Sequence, residues 1–268
     1  MAWLKPMKYR KGYITNDKVR LLKEYYINKA KYCKYDSYIK KNMLKALLIE
    51  TLWVSGRRIS EIVGNVKELK RCPGLRPMDF DFKDNMVRWH ILKKNPVSLY
   101  INKHSKKKKK EDMIKQQLHD KPSYESYLPM PADYMQTMKY WLDKFKVNQI
   151  ERIFPYHRVY VARTILPEAS GYYNLMLGSK KERKVNGERT VVDAPIHAHA
   201  FRHGFSINFL KANDKNPAAL KVLKDLLEHS SIIITETYMQ FDDAYRKELL
   251  EKAYNKSRSS NEIVEDKE

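Results

Sequence analysis

The stretch His197-Ala198-His199-Ala200-Phe201-Arg202-His203 sets a histidine and an arginine three residues apart at the start of an apolar helical pattern. On a helix that spacing brings His199 and Arg202 to one face. Both side chains donate hydrogen bonds, and the arginine fork matches two oxygens of one phosphate. A metal reading competes, because His197, His199 and His203 are closely spaced. No Cys or carboxylate lies beside them to complete a shell. His197 and His203 are expected to cap or to pack.

Upstream, Gly56-Arg57-Arg58-Ile59-Ser60-Glu61 places Arg58 at a helix start after a glycine turn, again suited to a phosphate. The helix before it is read over Lys40–Val54, where Leu44, Leu47, Leu48 and Leu52 form an apolar stripe. Helices are also expected over Tyr13–Lys31, Ile59–Val63, Pro131–Phe145, Phe201–Lys211, Ala218–Leu227 and Asp242–Tyr254. Met78–Phe82, Asn85–Leu92 and Ser126–Pro129 read as short strands. Leu177–Asp193 reads as a loop or hairpin, and Asn102–Asp120, with the run Lys106–Lys110, as a mobile loop. The expected class is α+β, mainly α-helical with a small antiparallel three-stranded sheet. Downstream, His229 precedes Tyr238 by nine residues, one of 19 tyrosines.

With 53 Lys and Arg against 32 Asp and Glu, the chain of 268 residues carries a formal charge of +21. A surplus of that size points to a polyanionic partner, nucleic acid first. No apolar run spans a membrane, so no membrane partner is expected. Cys33 and Cys72 are the only cysteines and form no Cys-x-x-Cys pair, which disfavours a disulfide framework and fits a cytoplasmic setting. Asp79, Asp81 and Asp84 offer a rival reading, a metal-dependent nuclease with carboxylates around Mg²⁺.

The order Arg58, His199-x-x-Arg202, His229, Tyr238 resembles the catalytic domain of the tyrosine recombinases, or phage integrases. Three separate boxes carry the likeness: Gly56-x-Arg58-Ile59-Ser60-Glu61, His199-Ala200-Phe201-Arg202-His203, and Leu227-x-His229-Ser230-Ser231 with Tyr238. The resemblance implies a site-specific recombinase or integrase acting through a 3′-phosphotyrosine, with no metal, cofactor or ATP. The implied catalytic set is Arg58, His199, Arg202, His229 and the nucleophile Tyr238. A lysine of the turn after the second strand joins it, for which Lys93 and Lys94 are both candidates. The implied partners are double-stranded DNA and further copies of the chain on that DNA, joined by exchange of the tail after Tyr238. Implied localisation is cytoplasmic, at the nucleoid. The expected organisation is a catalytic domain over 1–256 and a flexible polar tail over 257–268, the family's N-terminal DNA-binding domain being absent. Relaxation of the type IB topoisomerase kind is the alternative outcome of the same chemistry. Two residues depart from the family pattern: Glu228 stands where glycine is usual, and Arg57 where an apolar residue is usual.

Overall fold

The computed structural model describes residues 13–66, 69, 72–91, 124–185, 188–213 and 217–228. The chain divides into two compact units: Gly12–Phe205, and a second whose described residues run from Ser206 to Glu228.

In the first unit, α1 (Asn16–Lys31) and α2 (Asp36–Ser55) form an antiparallel pair. Helix α1 starts three residues after the expected Tyr13, because Thr15 is still extended at the N-cap. Helix α2 starts four residues before the expected Lys40. Its first turn is polar and carries Asp36, which the positive helix end favours but which no apolar stripe announces. The leucine stripe is part of a wider buried surface. Met43, Ala46, Ile49 and Thr51 are buried too, so α2 is a central helix rather than a one-faced one. It closes at Gly56 in the left-handed region, φ 58°. The short α3 (Ile59–Val63) follows, at its expected bounds.

A three-stranded antiparallel sheet comes next, in the order β1 (Phe80–Asp81), β2 (Met86–Ile91), β3 (Tyr124–Pro129). Trp89 pairs with Ser126 and His90 with Glu125. Val87, Trp89 and Ile91 are buried on one face of β2, and period two puts Arg88 and His90 on the other. Helix α4 (Ala132–Lys144) packs against α2, where Thr51 Oγ1 and Tyr134 Oη lie 2.9 Å apart.

Residues 158–172 form one helix, α5, for which the sequence carried no expectation. A π turn, Val161–Ile165, lies inside it. Pro167 explains both facts. It lacks an N–H, and its ring would crowd the carbonyl of residue 163 in a regular α-turn, so the pattern reads as broken. A two-stranded antiparallel hairpin, β4 (Met176–Val185) and β5 (Glu188–Pro195), takes up the stretch expected as loop or hairpin. Helix α6 (Ala198–Ala212) carries the chain from the first unit into the second.

In the second unit, α7 (Pro217–Leu226) is amphipathic, with Ala219, Leu220 and Leu223 buried, as is Leu227 after it. Among the described residues the fold is the expected one, mainly helical with a small antiparallel sheet. No helix among them is long and apolar enough to cross a membrane.

Candidate active site

The site begins at the end of α2. Ser55 Oγ donates to the Thr51 carbonyl at 2.5 Å and accepts the Arg57 N–H at 3.2 Å, which tightens the turn. A Cβ on Gly56 would lie 2.5 Å from the Phe205 ring, so α6 rests against this turn where only a hydrogen fits. Arg58 then opens α3. Buried Glu61 accepts its backbone N–H on Oε2 at 3.0 Å and its guanidinium on Oε1 at 2.8 Å. A charge-assisted pair at this spacing holds the arginine in one direction. The Arg58 side chain remains 25% exposed and so can meet a ligand.

Arg202 comes from α6. It is buried, and its Nη1 donates to the Gly56 carbonyl at 2.9 Å. That bond joins two of the three sequence boxes across 146 positions. Helix α6 also approaches closely two residues on. A Cβ on Gly204 would lie 2.5 Å from the Ile14 carbonyl and 2.6 Å from the Trp53 ring. His199 is exposed in the first turn of α6, and its ring meets buried His203 edge-on at 4.5 Å. The expectation that His203 packs agrees with this placement. His197 is exposed, and its carbonyl accepts the Ala200 N–H at 2.9 Å as the helix begins.

Arg57 ties the turn to the sheet. Its guanidinium lies 5.6 Å from the Trp89 ring and donates to Ser126 Oγ at 3.2 Å. The Trp89 face of β2 is therefore the one turned toward the arginine box. Sequence reading noted Arg57 as a departure and assigned it no part. No local signal could have found it, because Trp89 and Ser126 lie on two strands far along the chain.

The other face of β2 holds a buried ion cluster. Asp79 accepts from Arg76 Nε at 3.2 Å and from Arg88 Nη2 at 2.8 Å, and its carboxylate lies 3.5 Å from His90 Nε2. Burial pushes the Asp79 carboxyl up, but hydrogen bonds from His90, Arg76 and Arg88 outweigh it and hold it well below the usual carboxylate range. Asp81 Oδ1 accepts the backbone N–H groups of Lys83 and Asp84 at 3.0 and 3.2 Å, a turn-forming role. Asp79 and Asp81 thus hold protein groups. Among the described residues no group of three or more His, Cys, Asp or Glu is placed to hold a metal.

The structure brings Arg58 and Arg202 to one turn and sets His199 on the same helix as Arg202. Lys93, Lys94, His229 and Tyr238 lie outside the described residues, as do Lys106–Lys110, Asp242–Tyr254 and the polar tail. Glu228, the residue before His229, has φ 55°. The glycine usual there in the resembled family would take this left-handed backbone without strain, and here a glutamate adopts it.

No protein-family model matches the chain. Over 58 residues, 22% of its length, the chain is 38% identical to tyrosine recombinase XerD of Chlorobaculum tepidum, and the match spans 18% of that relative's own length. In fold it is similar to XerA recombinase, with TM-score 0.51 and 14% identity over 94% of this chain and 67% of that one. It is similar also to the Tn1549 transposon integrase in complex with transposon right-end DNA, with TM-score 0.50 and 18% identity over 93% of this chain and 68% of the integrase. A third likeness is to XerH site-specific recombinase in a post-cleavage complex with its palindromic substrate, with TM-score 0.51, 14% identity, and coverage of 91% and 53%. The likenesses to solved structures are ones of fold.

Proposed function

We propose that this chain is a tyrosine recombinase that breaks and rejoins duplex DNA at a specific site, with Tyr238 as nucleophile, a reading supported by the short match to a recombinase and by the likeness of fold. The observation that carries the reading is the Arg202 bond to the Gly56 carbonyl, which sets two arginines of the catalytic order at one turn. Arg58 and Arg202 hold the non-bridging oxygens of the scissile phosphate and offset the charge that grows on them. His199 and His229 donate further hydrogen bonds, and His199 accepts the tyrosine proton. The phenolate oxygen attacks phosphorus, the bond to the 5′ oxygen breaks, and a 3′-phosphotyrosine forms. Rejoining reverses these steps with a second 5′ hydroxyl. One phosphodiester replaces another, so the exchange needs no ATP, and the two arginines supply the positive charge that a metal would otherwise bring.

The departing 5′ oxygen takes a proton from a lysine. Val87, Trp89 and Ile91 share the face of β2 that meets Arg57. Lys93 and Lys94, which follow that strand in sequence, are both candidates for this general acid. Further copies of the chain assemble on the DNA, joined through the segment after Tyr238.

A nicked suicide substrate tests the reading. The wild-type chain should form an adduct that survives SDS, with EDTA present throughout. Tyr238→Phe should form none. Of Lys93→Ala and Lys94→Ala, one should slow adduct formation far more than the other, and a substrate with a 5′-bridging sulfur, which leaves without a proton, should restore the rate of the slower variant. An adduct in Tyr238→Phe would sink the assignment of the nucleophile, and loss of the wild-type adduct in EDTA would sink the metal-free mechanism.

A further inference from the structure

A second surface lies at the other end of α2, about 30 Å from Gly56 by the rise of a 20-residue helix. Tyr32, Tyr35 and Tyr38, at the corner between α1 and α2, are 81%, 70% and 56% exposed. Four lysines, Lys31, Lys34, Lys40 and Lys41, alternate with them, against one carboxylate, Asp36. The end of α4 repeats the composition. Tyr140 is 57% exposed with Lys144 Nζ 5.6 Å from its ring, and Lys139 and Lys146 lie near it in sequence, against Asp143. The two stretches are joined in space. Lys40 Nζ donates to the Phe145 carbonyl at 3.3 Å and lies 5.8 Å from the Phe145 ring. Between them runs a groove of about 350 Å³ lined by Asp36, Ser37, Ile39, Lys40, Lys144 and Phe145.

Folding does not account for these tyrosines, since most of each side chain stays in water. Tyr35 and Tyr38 lie near each other, with ring centres 6.3 Å apart, and are tilted rather than stacked, which leaves ring faces open. Open aromatic faces amid lysines are the two elements of a surface for an unpaired strand: rings stack on bases while ammonium groups track phosphates. Duplex DNA hides its base faces, so the aromatic half of the surface would be unused on it. We propose that this face binds single-stranded nucleic acid, at a site separate from the arginine turn and independent of the strand-transfer reading.

Anisotropy of a labelled oligothymidine decides it, measured on the full chain with saturating unlabelled duplex to occupy other DNA contacts. Tyr35→Ala with Tyr38→Ala should weaken oligothymidine binding roughly ten-fold or more, the scale of one or two lost stacking contacts. Tyr35→Phe with Tyr38→Phe should retain it, because the ring face remains. Duplex binding should be unchanged in both. The proposal is overturned if the alanine pair binds oligothymidine like the parent, or if duplex binding falls by the same factor. It is overturned equally if a polyglutamate peptide shows the tyrosine dependence and oligothymidine does not, since the occupant would then be an acidic protein segment.

Discussion

At the residue scale, Arg58 and Arg202 reach the same turn with different surroundings. Arg58 is partly exposed and held by buried Glu61, while Arg202 is itself buried and held by a backbone carbonyl. Neither is needed merely to attract DNA, because the chain has 53 cationic side chains in all. Arg58→Ala and Arg202→Ala should each lower adduct formation by roughly 10²-fold or more, the scale of losing one transition-state donor. Duplex affinity in a gel shift should change by less than about ten-fold. An equal fall in binding and cleavage would mean that these arginines only anchor DNA. Both residues could be named from the sequence, Arg58 by its place after a glycine turn and Arg202 by its helical spacing from His199. The Glu61 pairing was not read from the sequence and comes from the structure. A part for Arg57 was not legible either, because its partners Trp89 and Ser126 lie on strands that only folding brings near.

At the scale of elements, Glu168 joins three helices of the first unit. From α5 it pairs with Lys29 of α1 and, at 3.5 Å, with Lys45 of α2, and it accepts from Tyr25 and Tyr26. Burial pushes its carboxyl up, but the Lys29 hydrogen bond, the Lys45 charge and the Tyr26 hydroxyl outweigh that and hold it at about 2. A folded value below the unfolded value near 4.5 means stability that is full above pH 4.5 and is lost as pH falls toward 2. Glu168→Gln should therefore be less stable than the parent at pH 7 in urea unfolding. The gap should close between pH 4.5 and 2, and a gap constant with pH would show that the carboxylate charge contributes nothing. None of this was legible in the sequence. Helix α5 is interrupted by Pro167, so no helical face for Glu168 could be drawn, and its partners lie about 140 positions away. The helices with uninterrupted apolar spacing, α2, α4 and α7, were legible for the opposite reason.

At the scale of the whole molecule, the proposed encounter with DNA draws on the charge of +21 more than on any single contact. Displaced counterions make such binding steeply salt-dependent. If the chain covers roughly 6–10 phosphates, duplex affinity should fall by roughly 10³–10⁵ between about 50 and 200 mM salt. A titration of anisotropy against KCl measures the slope, and a nearly flat line would place most of the binding in uncharged contacts.

The sequence by itself determined the helical class, the small sheet, the net charge of +21 and the order of the catalytic candidates. All of these are carried by spacing and composition within short windows, where the backbone period alone decides which side chains are neighbours. Only the tertiary structure decided that His199-x-x-Arg202 meets the Gly56 turn, through a hydrogen bond and a glycine contact too close for any Cβ. It alone turned the Trp89 face of β2 toward Arg57. It alone committed Asp79 to Arg76 and Arg88. Those are contacts between residues far apart in the chain, and burial and close packing, not local periodicity, select them.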